Sequence, residues 1–260
     1  MYGSVQRTDV TNWGSISVNA TLGPLGQNLD KVAIVTGAGR GIGAGVARAL
    51  RQQNYTLVLM SPSDSAERLA QEIGGVGVRG SVTEPKDLER LIEVTLSKHG
   101  RIDALVNNAK APAVGELLDL PDRDWTDSHD LSLMSVVRLC RLVTPVMQRQ
   151  RAGAIVNISS YLSVQPNLEY PMSSVYRAAL ASFTKLYADR YGPDGIRMNN
   201  VSPGFMDNWD FAEEIKEHIP LRRFGTMEET GRVVAFLLSD AAGYITGQSV
   251  RLDGGLTRSV

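Results

Sequence analysis

From Lys31 onward the chain alternates short runs rich in β-branched residues with longer stretches whose apolar positions recur every three or four residues. The runs 32–36, 56–60, 76–79, 104–107, 154–159, 196–201 and 248–252 read as strands, and the stretches between them as amphipathic helices. Seven strands with intervening helices are the pattern of βαβ units. They predict an α/β fold with a doubly wound, mainly parallel sheet and helices on both faces. Right-handed crossovers in such a sheet put ligands outside the carboxyl ends of the strands, and every segment with chemical potential falls just after a strand end. Residues 1–30 are rich in Gly, Ser, Thr and Asn and carry no steady periodicity. They read as an extension, flexible or touching a neighbouring subunit, ahead of a single domain over residues 31–260.

With 260 residues, 43% hydrophobic and 21% charged, the chain can build one well-buried core. A formal charge of -1 and a pI near 6.3 leave no electrostatic excess for a nucleic-acid backbone or an anionic membrane surface. No stretch approaches the ~20 apolar residues of a membrane-spanning helix, and the first residues lack the basic and apolar regions of a signal peptide. Cys140 is the only cysteine; it lies in an apolar helical pattern, reads as a buried thiol, and points to a reducing, cytoplasmic compartment. His99, His129 and His218 form no spaced metal cluster, so no metal is expected; His99, at a helix end, is expected to interact with the helix dipole.

The run Thr36-Gly37-Ala38-Gly39-Arg40-Gly41-Ile42-Gly43 follows an apolar strand and opens an Ala-rich helix. Glycines there let the chain turn tightly and bring N–H groups close to a pyrophosphate at a helix N-terminus. A tight strand-to-helix turn uses the same residues, so this run alone leaves both readings open. Four further motifs follow in order: Asn107-Asn108-Ala109; Ile155-Val156-Asn157-Ile158-Ser159-Ser160; Ser202-Pro203-Gly204; and Ile245-Thr246-Gly247-Gln248 with Asp253-Gly254-Gly255. Together they resemble the short-chain dehydrogenase/reductase family over nearly the whole chain beyond the extension. The resemblance implies a Rossmann-like sheet that binds a dinucleotide and transfers hydride between nicotinamide and a carbonyl or alcohol.

By that resemblance Gly37, Arg40, Gly41, Ile42 and Gly43 surround the cofactor phosphates. Asn108 and Ala109 face a ribose, Pro203 and Gly204 the nicotinamide, and Ser81 with Val82 the adenine. Relatives that prefer NAD carry an acidic residue at the end of the second strand, where this chain has Ser61. Arg40 stands where relatives that prefer NADP carry a guanidinium for the 2′-phosphate. NADP(H) is therefore expected over NAD(H), with nearby Asp64 as the contrary sign. Lys110 replaces a frequent glycine after Asn-Asn-Ala and either touches phosphate or is solvated.

The family's proton relay uses a serine, a Tyr-x-x-x-Lys pair and an asparagine one helix earlier. Ser160 matches the serine, with Ser159 as the alternative register; Ser173 stands in the tyrosine's place, Arg177 in the lysine's and Ser132 in the asparagine's. An aliphatic hydroxyl is a far poorer proton donor than a phenol, and a guanidinium does not give up its proton. Tyr161, Tyr170 and Tyr176 are the tyrosines near enough in sequence to substitute, or else packing aromatics. The resulting expectation is an NADP(H)-dependent oxidoreductase acting on a small carbonyl or alcohol through an atypical site at Ser160, Ser173, Arg177 and Ser132. Rival readings are a nucleotide-binding pseudoenzyme and a structural subunit beside an active homologue. A homodimer or homotetramer is expected through residues 125–150 and 173–191.

Overall fold

The computed structural model describes residues 31–259; the extension at residues 1–30, and the reading of it as flexible or subunit-contacting, lies outside the described residues. The seven strands are β1 (Val32–Thr36), β2 (Thr56–Ser61), β3 (Val76–Arg79), β4 (Ala104–Asn107), β5 (Gly153–Ile158), β6 (Ile196–Pro203) and β7 (Ser249–Leu252). They form one sheet in the order β3-β2-β1-β4-β5-β6-β7, and every neighbouring pair is parallel. The chain winds outward from β1 to β3, returns to β4 beside β1, and winds outward the other way. The crevice at that reversal lies between the carboxyl ends of β1 and β4.

The strands read as unbroken apolar runs because both faces are covered. Ala33, Val35, Leu57, Leu59, Ala104 and Val106 point to the side packed by helices α1 (Gly41–Gln52), α2 (Ser65–Ile73) and α7 (Met227–Leu238). Ile34, Val58, Met60 and Leu105 point to the other side, packed by α3 (Pro85–His99), α5 (Ser135–Gln150) and α6 (Pro171–Tyr191). Between them α4 (Asp122–His129) continues into α5 through a π-turn at Asp130–Met134. Several strand limits differ from the sequence reading by one or two residues, among them the ends of β5 and β6. β5 stops at Ile158, so Ser159 lies just beyond it while its N–H still donates to the Val201 carbonyl at 2.7 Å. β6 runs on to Pro203, which has no N–H to donate, and the next N–H, that of Gly204, donates to the Leu252 carbonyl at 3.0 Å.

Helix α7 opens with a capping box: Thr226 Oγ1 accepts from Glu229 N–H, and the Glu229 carboxylate accepts from Thr226 N–H. Arg223 pairs with the same carboxylate at 2.6 Å, and this bond, with the Thr226 N–H second, pulls the carboxyl down to about 2. A lowered folded-state value means the contribution to stability is present above the ordinary value of 4.5 and is lost as pH falls towards about 2. Thr226→Ala is expected to cost ~1 kcal/mol at neutral pH. Urea unfolding measures it, and an unchanged midpoint contradicts the assignment. Among the described residues, no helix is long and apolar enough to cross a membrane.

Candidate active site

The glycine loop turns through positive φ at Gly37 (56°) and Gly41 (54°), conformations that favour glycine. It is clamped from β4: Thr36 Oγ1 donates to the Asn108 carbonyl at 2.8 Å, and Asn108 Nδ2 donates to the Gly37 carbonyl at 3.0 Å. A Cβ on Gly43 would collide with the Gly37 carbonyl oxygen, so the start of α1 lies against the turn with no room for a side chain. Ile42 packs part-buried against the core, and Arg40, at the N-cap of α1, is exposed.

Beside this loop the end of β2 is a cluster of hydroxyls. Ser61 Oγ donates to the Ser63 carbonyl at 2.8 Å, accepts from Ala66 N–H at 3.0 Å and lies 3.1 Å from Ser65 Oγ. A Cβ on Gly39 would strike the Ser65 side chain, which places these serines directly against the glycine loop. Asp64 pairs with Arg68 at 3.2 Å on the exposed face of α2. At the end of β3, Ser81 N–H is held by Asp87 Oδ2 at 2.9 Å and Ser81 Oγ meets Thr83 Oγ1 at 2.8 Å. Lys110 is exposed.

Five of the residues singled out from the sequence, Val82, Asn108, Ala109, Ser132 and Arg177, line one cleft with Thr36, Asn107 and Ser135. Ser132 lies in the π-turn, a helix irregularity that recurs at functional sites, braced by the Arg138–Asp130 ion pair at 2.6 Å. Its hydroxyl is buried without a partner. Asn107 commits its Nδ2 to Asn157 Oδ1 at 2.7 Å, in a buried chain that runs on through Asn200 to Ser249, and its own Oδ1 is left without a partner. Arg177 is 7% exposed, donates Nη1 to the Ile158 carbonyl at 2.8 Å and has a buried Nε with no partner. Burial alone lowers its value, to about 10, so it stays charged at neutral pH; no acid contributes. Buried polar atoms in native folds are nearly always satisfied, and three of the unpartnered ones among the described residues come from residues of this one cleft.

The remaining positions stand apart from that lining. Ser173 lies in the first turn of α6, one turn before Arg177, and is part-exposed. Ser160 follows β5, and its Oγ accepts from Leu162 N–H at 3.3 Å. Pro203 and Gly204 sit at the end of β6 against β7.

The tyrosines are accounted for individually. Tyr176 donates to the Trp125 carbonyl at 2.8 Å and packs on Trp125 and His129, which ties it to α4. Tyr161 is buried against Phe205, and burial first, then Tyr170 and Glu169, raises its hydroxyl above the ordinary phenol value. Tyr170 caps α6 with non-helical backbone, as its place before Pro171 requires.

Other expectations sort as follows. Cys140 is buried and its thiol is pushed up by burial, the inert core thiol expected. His99 lies in the last turn of α3, the helix end expected, and burial, then Lys98, lowers its value. Phe205, Phe211 and Phe224 pack on one another at 4.9 and 5.8 Å, while Trp209 from the same segment is 57% exposed. Two residues near the glycine loop went unnoticed in the sequence: Ser65, and Asn208, whose Nδ2 lies 3.0 Å from where a Cβ of Gly41 would stand. Neither belongs to a strand-end motif, and only the fold brings them there.

Comparison with known proteins agrees with this architecture. A family model described as enoyl-(acyl carrier protein) reductase matches residues 37–257. The 3-oxoacyl-[acyl-carrier-protein] reductase FabG of Staphylococcus epidermidis is 35% identical over 242 residues, covering 88% of this chain and 99% of that protein. YwfH, described as an NADPH-dependent reductase involved in bacilysin biosynthesis, superposes with a TM-score of 0.85 at 28% identity, covering 89% of this chain and 100% of that one. L-Sorbose reductase from Gluconobacter frateurii, solved with NADPH and L-sorbose, superposes with a TM-score of 0.83 at 30% identity, covering 89% and 98%. The parallel sheet, the glycine loop clamped from β4 and near-complete matches over the described residues lead to one conclusion: the chain belongs to the short-chain dehydrogenase/reductase family.

Proposed function

We propose that the chain is an NADP(H)-dependent oxidoreductase that transfers a hydride between the nicotinamide and a small carbonyl or alcohol, with the substrate oxygen held by a buried guanidinium. The observation that carries this reading is Arg177, a buried cation without a carboxylate partner, with an unsatisfied Nε at the cleft it lines beside Asn108 and Ser132. A charge fixed in a dry site stabilises a developing oxyanion far more than one in water. The residues fit the cofactor. Gly37 and Gly41 give the loop its turns, Gly43 keeps the start of α1 free of a side chain, and Asn108 and Ala109 line the adjoining cleft. NADPH, when bound, supplies the hydride and its two electrons. The chain's part is to orient and to hold charge. Arg177 faces the oxygen, Ser160 and Ser173 offer hydroxyl donors at the same strand end and helix, and Ser132 with Asn107 adds polar contacts behind.

The proposal includes a preference for NADP(H), supported by the relatives solved or described with NADPH and by the β2 end. There Ser61 stands where NAD-preferring relatives carry an acid, Asp64 is engaged by Arg68, and exposed Arg40 directly follows Gly39, which abuts Ser65. Charge-assisted hydrogen bonds contribute about 1.5–3 kcal/mol, so Arg40→Ala is expected to weaken NADPH binding about ten- to hundredfold and leave NADH nearly unchanged. Fluorescence titration with both nucleotides reads this directly; equal affinity in the parent protein sinks it.

One observation favours the second reading, a nucleotide-binding pseudoenzyme: the cleft at Arg177 is lined by no Asp, Glu, His, Cys, Tyr or Lys. NADPH binding without oxidation across a broad carbonyl panel decides for it. The proposal takes residues 31–260 as one domain in a reducing, cytoplasmic setting. It pairs copies through α4, α5 and α6, where Val175 and Leu186 are 47% and 68% exposed on α6. Light scattering at micromolar concentration is expected to give a dimer or tetramer, and a monomer contradicts it.

A further inference from the structure

We infer that the preferred substrate is a 2-oxo acid, reduced at its ketone to the 2-hydroxy acid, with its ketone oxygen and one carboxylate oxygen side by side on the Nε–Nη2 edge of Arg177. The inference rests on the reductase reading above and names its substrate class.

Two part-buried arginines show what a satisfied guanidinium is in this fold. Arg197 donates to three carbonyls, those of Leu237, Ser239 and Ile245, at 2.8, 3.1 and 3.3 Å. Arg101 offers Nε and Nη2 to the two oxygens of Asp103 at 2.8 and 2.7 Å, the side-on fork that matches a planar pair of oxygens. Arg177 is buried more deeply than either, yet among the described residues only its Nη1 has an acceptor, the Ile158 carbonyl. Its Nε–Nη2 edge, the one that Arg101 turns to Asp103, has none there, and the Nε is buried.

Among the described residues no acid balances the charge on that edge. The cleft is lined by hydroxyls, amides and apolar groups without a carboxylate. Asp130, next in the chain to the lining residue Leu131, is paired with Arg138 at 2.6 Å. A cation held out of water without a counter-charge is costly; an anionic guest removes that cost, and a neutral ketone leaves it in place.

A 2-oxo acid supplies the charge and the shape together. Its ketone oxygen and one carboxylate oxygen sit on adjacent carbons and lie side by side when coplanar, so both reach one edge of a guanidinium. The ketone oxygen thereby stands at Arg177, as the reductase reading requires, and the carboxylate fixes its orientation. Ser132, whose buried hydroxyl has no partner among the described residues, lines the same cleft and offers a further donor to the carboxylate.

Atoms and electrons balance. C2 of the acid gains a C–H bond from the hydride of the reduced nicotinamide, the C=O π pair moves onto the oxygen beside Arg177, and that oxygen takes a proton from water. One NADPH and one proton are consumed; NADP+ and the 2-hydroxy acid are released. The carboxylate is unchanged and keeps the guanidinium paired throughout.

Two measurements test it on the whole chain. The first needs no turnover. Oxamate, a planar isostere of pyruvate that is not reduced, and its uncharged ethyl ester are titrated by calorimetry into the protein with NADPH present. Oxamate is expected to bind at least about tenfold more tightly, the effect of one charge-assisted hydrogen bond. That preference is expected to vanish in Arg177→Met and to survive in part in Arg177→Lys, both checked for folding by circular dichroism. Equal binding of acid and ester, no oxamate binding at millimolar concentration, or a preference that persists in Arg177→Met overturns the assignment of Arg177.

The second measurement is turnover. Pyruvate and phenylpyruvate are each offered against their methyl esters, beside acetoacetate, whose carboxylate stands one carbon further from the ketone, and a panel of neutral ketones. A ketone flanked by an ester is intrinsically more reactive towards hydride than one flanked by a carboxylate, so a faster acid reports recognition of the carboxylate. The better of the two 2-oxo acids is expected to exceed its ester and acetoacetate at least about tenfold by kcat/KM, and the acid-to-ester ratio is expected to fall to about one or below in Arg177→Met. Esters or neutral ketones reduced as fast as the 2-oxo acids, or acetoacetate preferred, overturn the substrate inference and leave the reductase reading standing. Turnover of no acid, ester or ketone overturns both.

Discussion

Arg177→Met is expected to lower reductase kcat/KM by about 10²–10³-fold, the range for removing one oxyanion-stabilising donor, while the fold stays as stable as before or gains up to ~1 kcal/mol. The two halves of this result come from one cause. A buried guanidinium is costly to desolvate, and among the described residues no carboxylate offsets that cost; its hydrogen-bond partner there is the Ile158 carbonyl. Methionine matches much of the side chain's length and suits the apolar part of the cleft lining, Leu131, Val136 and Leu139. A residue kept for stability would behave oppositely, with thermal unfolding and activity falling together. Steady-state kinetics beside calorimetry separate the cases, and Arg177→Lys, which keeps the charge, is expected to recover part of the rate.

The second large effect is expected at the glycine loop. Gly43→Ala should weaken NADPH binding by more than a hundredfold and lower stability by about 1–3 kcal/mol, because its Cβ would meet the Gly37 carbonyl and the Asn108 amide that clamps the turn. Both neighbours are held: Gly37 at a φ of 56°, and Asn108 Nδ2 at 3.0 Å from the very oxygen concerned. The strain therefore spreads into the clamp between β1 and β4, at the reversal of the sheet. Isothermal titration gives the affinity and urea unfolding the stability; near-parental values for both would show that the loop yields more easily than its packing implies.

Three features of the proposed site come from the sequence. Glycines at residues 37, 41 and 43 mark a turn that side chains would block. Ser173 and Arg177, where the family resemblance expects a phenol and an amine, are the basis for proposing an atypical relay, because residue identity alone fixes whether a group can give up a proton. Ser61, lacking a carboxyl, is the basis for proposing that a 2′-phosphate meets no repulsion there. Candidate tyrosines were different: spacing put Tyr176 near the face of Ser173, yet its hydroxyl is spent on Trp125, 51 residues earlier in the chain. Helical periodicity reports a direction, and a partner so distant in sequence leaves no trace in it.

By itself the sequence determined the seven strands, their sandwiching between two helical layers and the place of the crevice. Parallel strands buried on both faces can be written only as continuous apolar runs, and glycine loops, strand-end serines and amphipathic helices are each local in the chain. Only the tertiary structure decided which polar atoms are left without partners. Asn107 turns its Oδ1 free because its Nδ2 is taken by Asn157 across the sheet; Ser132 is buried because the α4–α5 helix passes through a π-turn; Arg177 stands uncompensated because no acid among the described residues reaches it. Hydrogen-bond satisfaction depends on every group within about 3 Å, and those groups come from segments far apart in the chain, so it is settled when the layers pack.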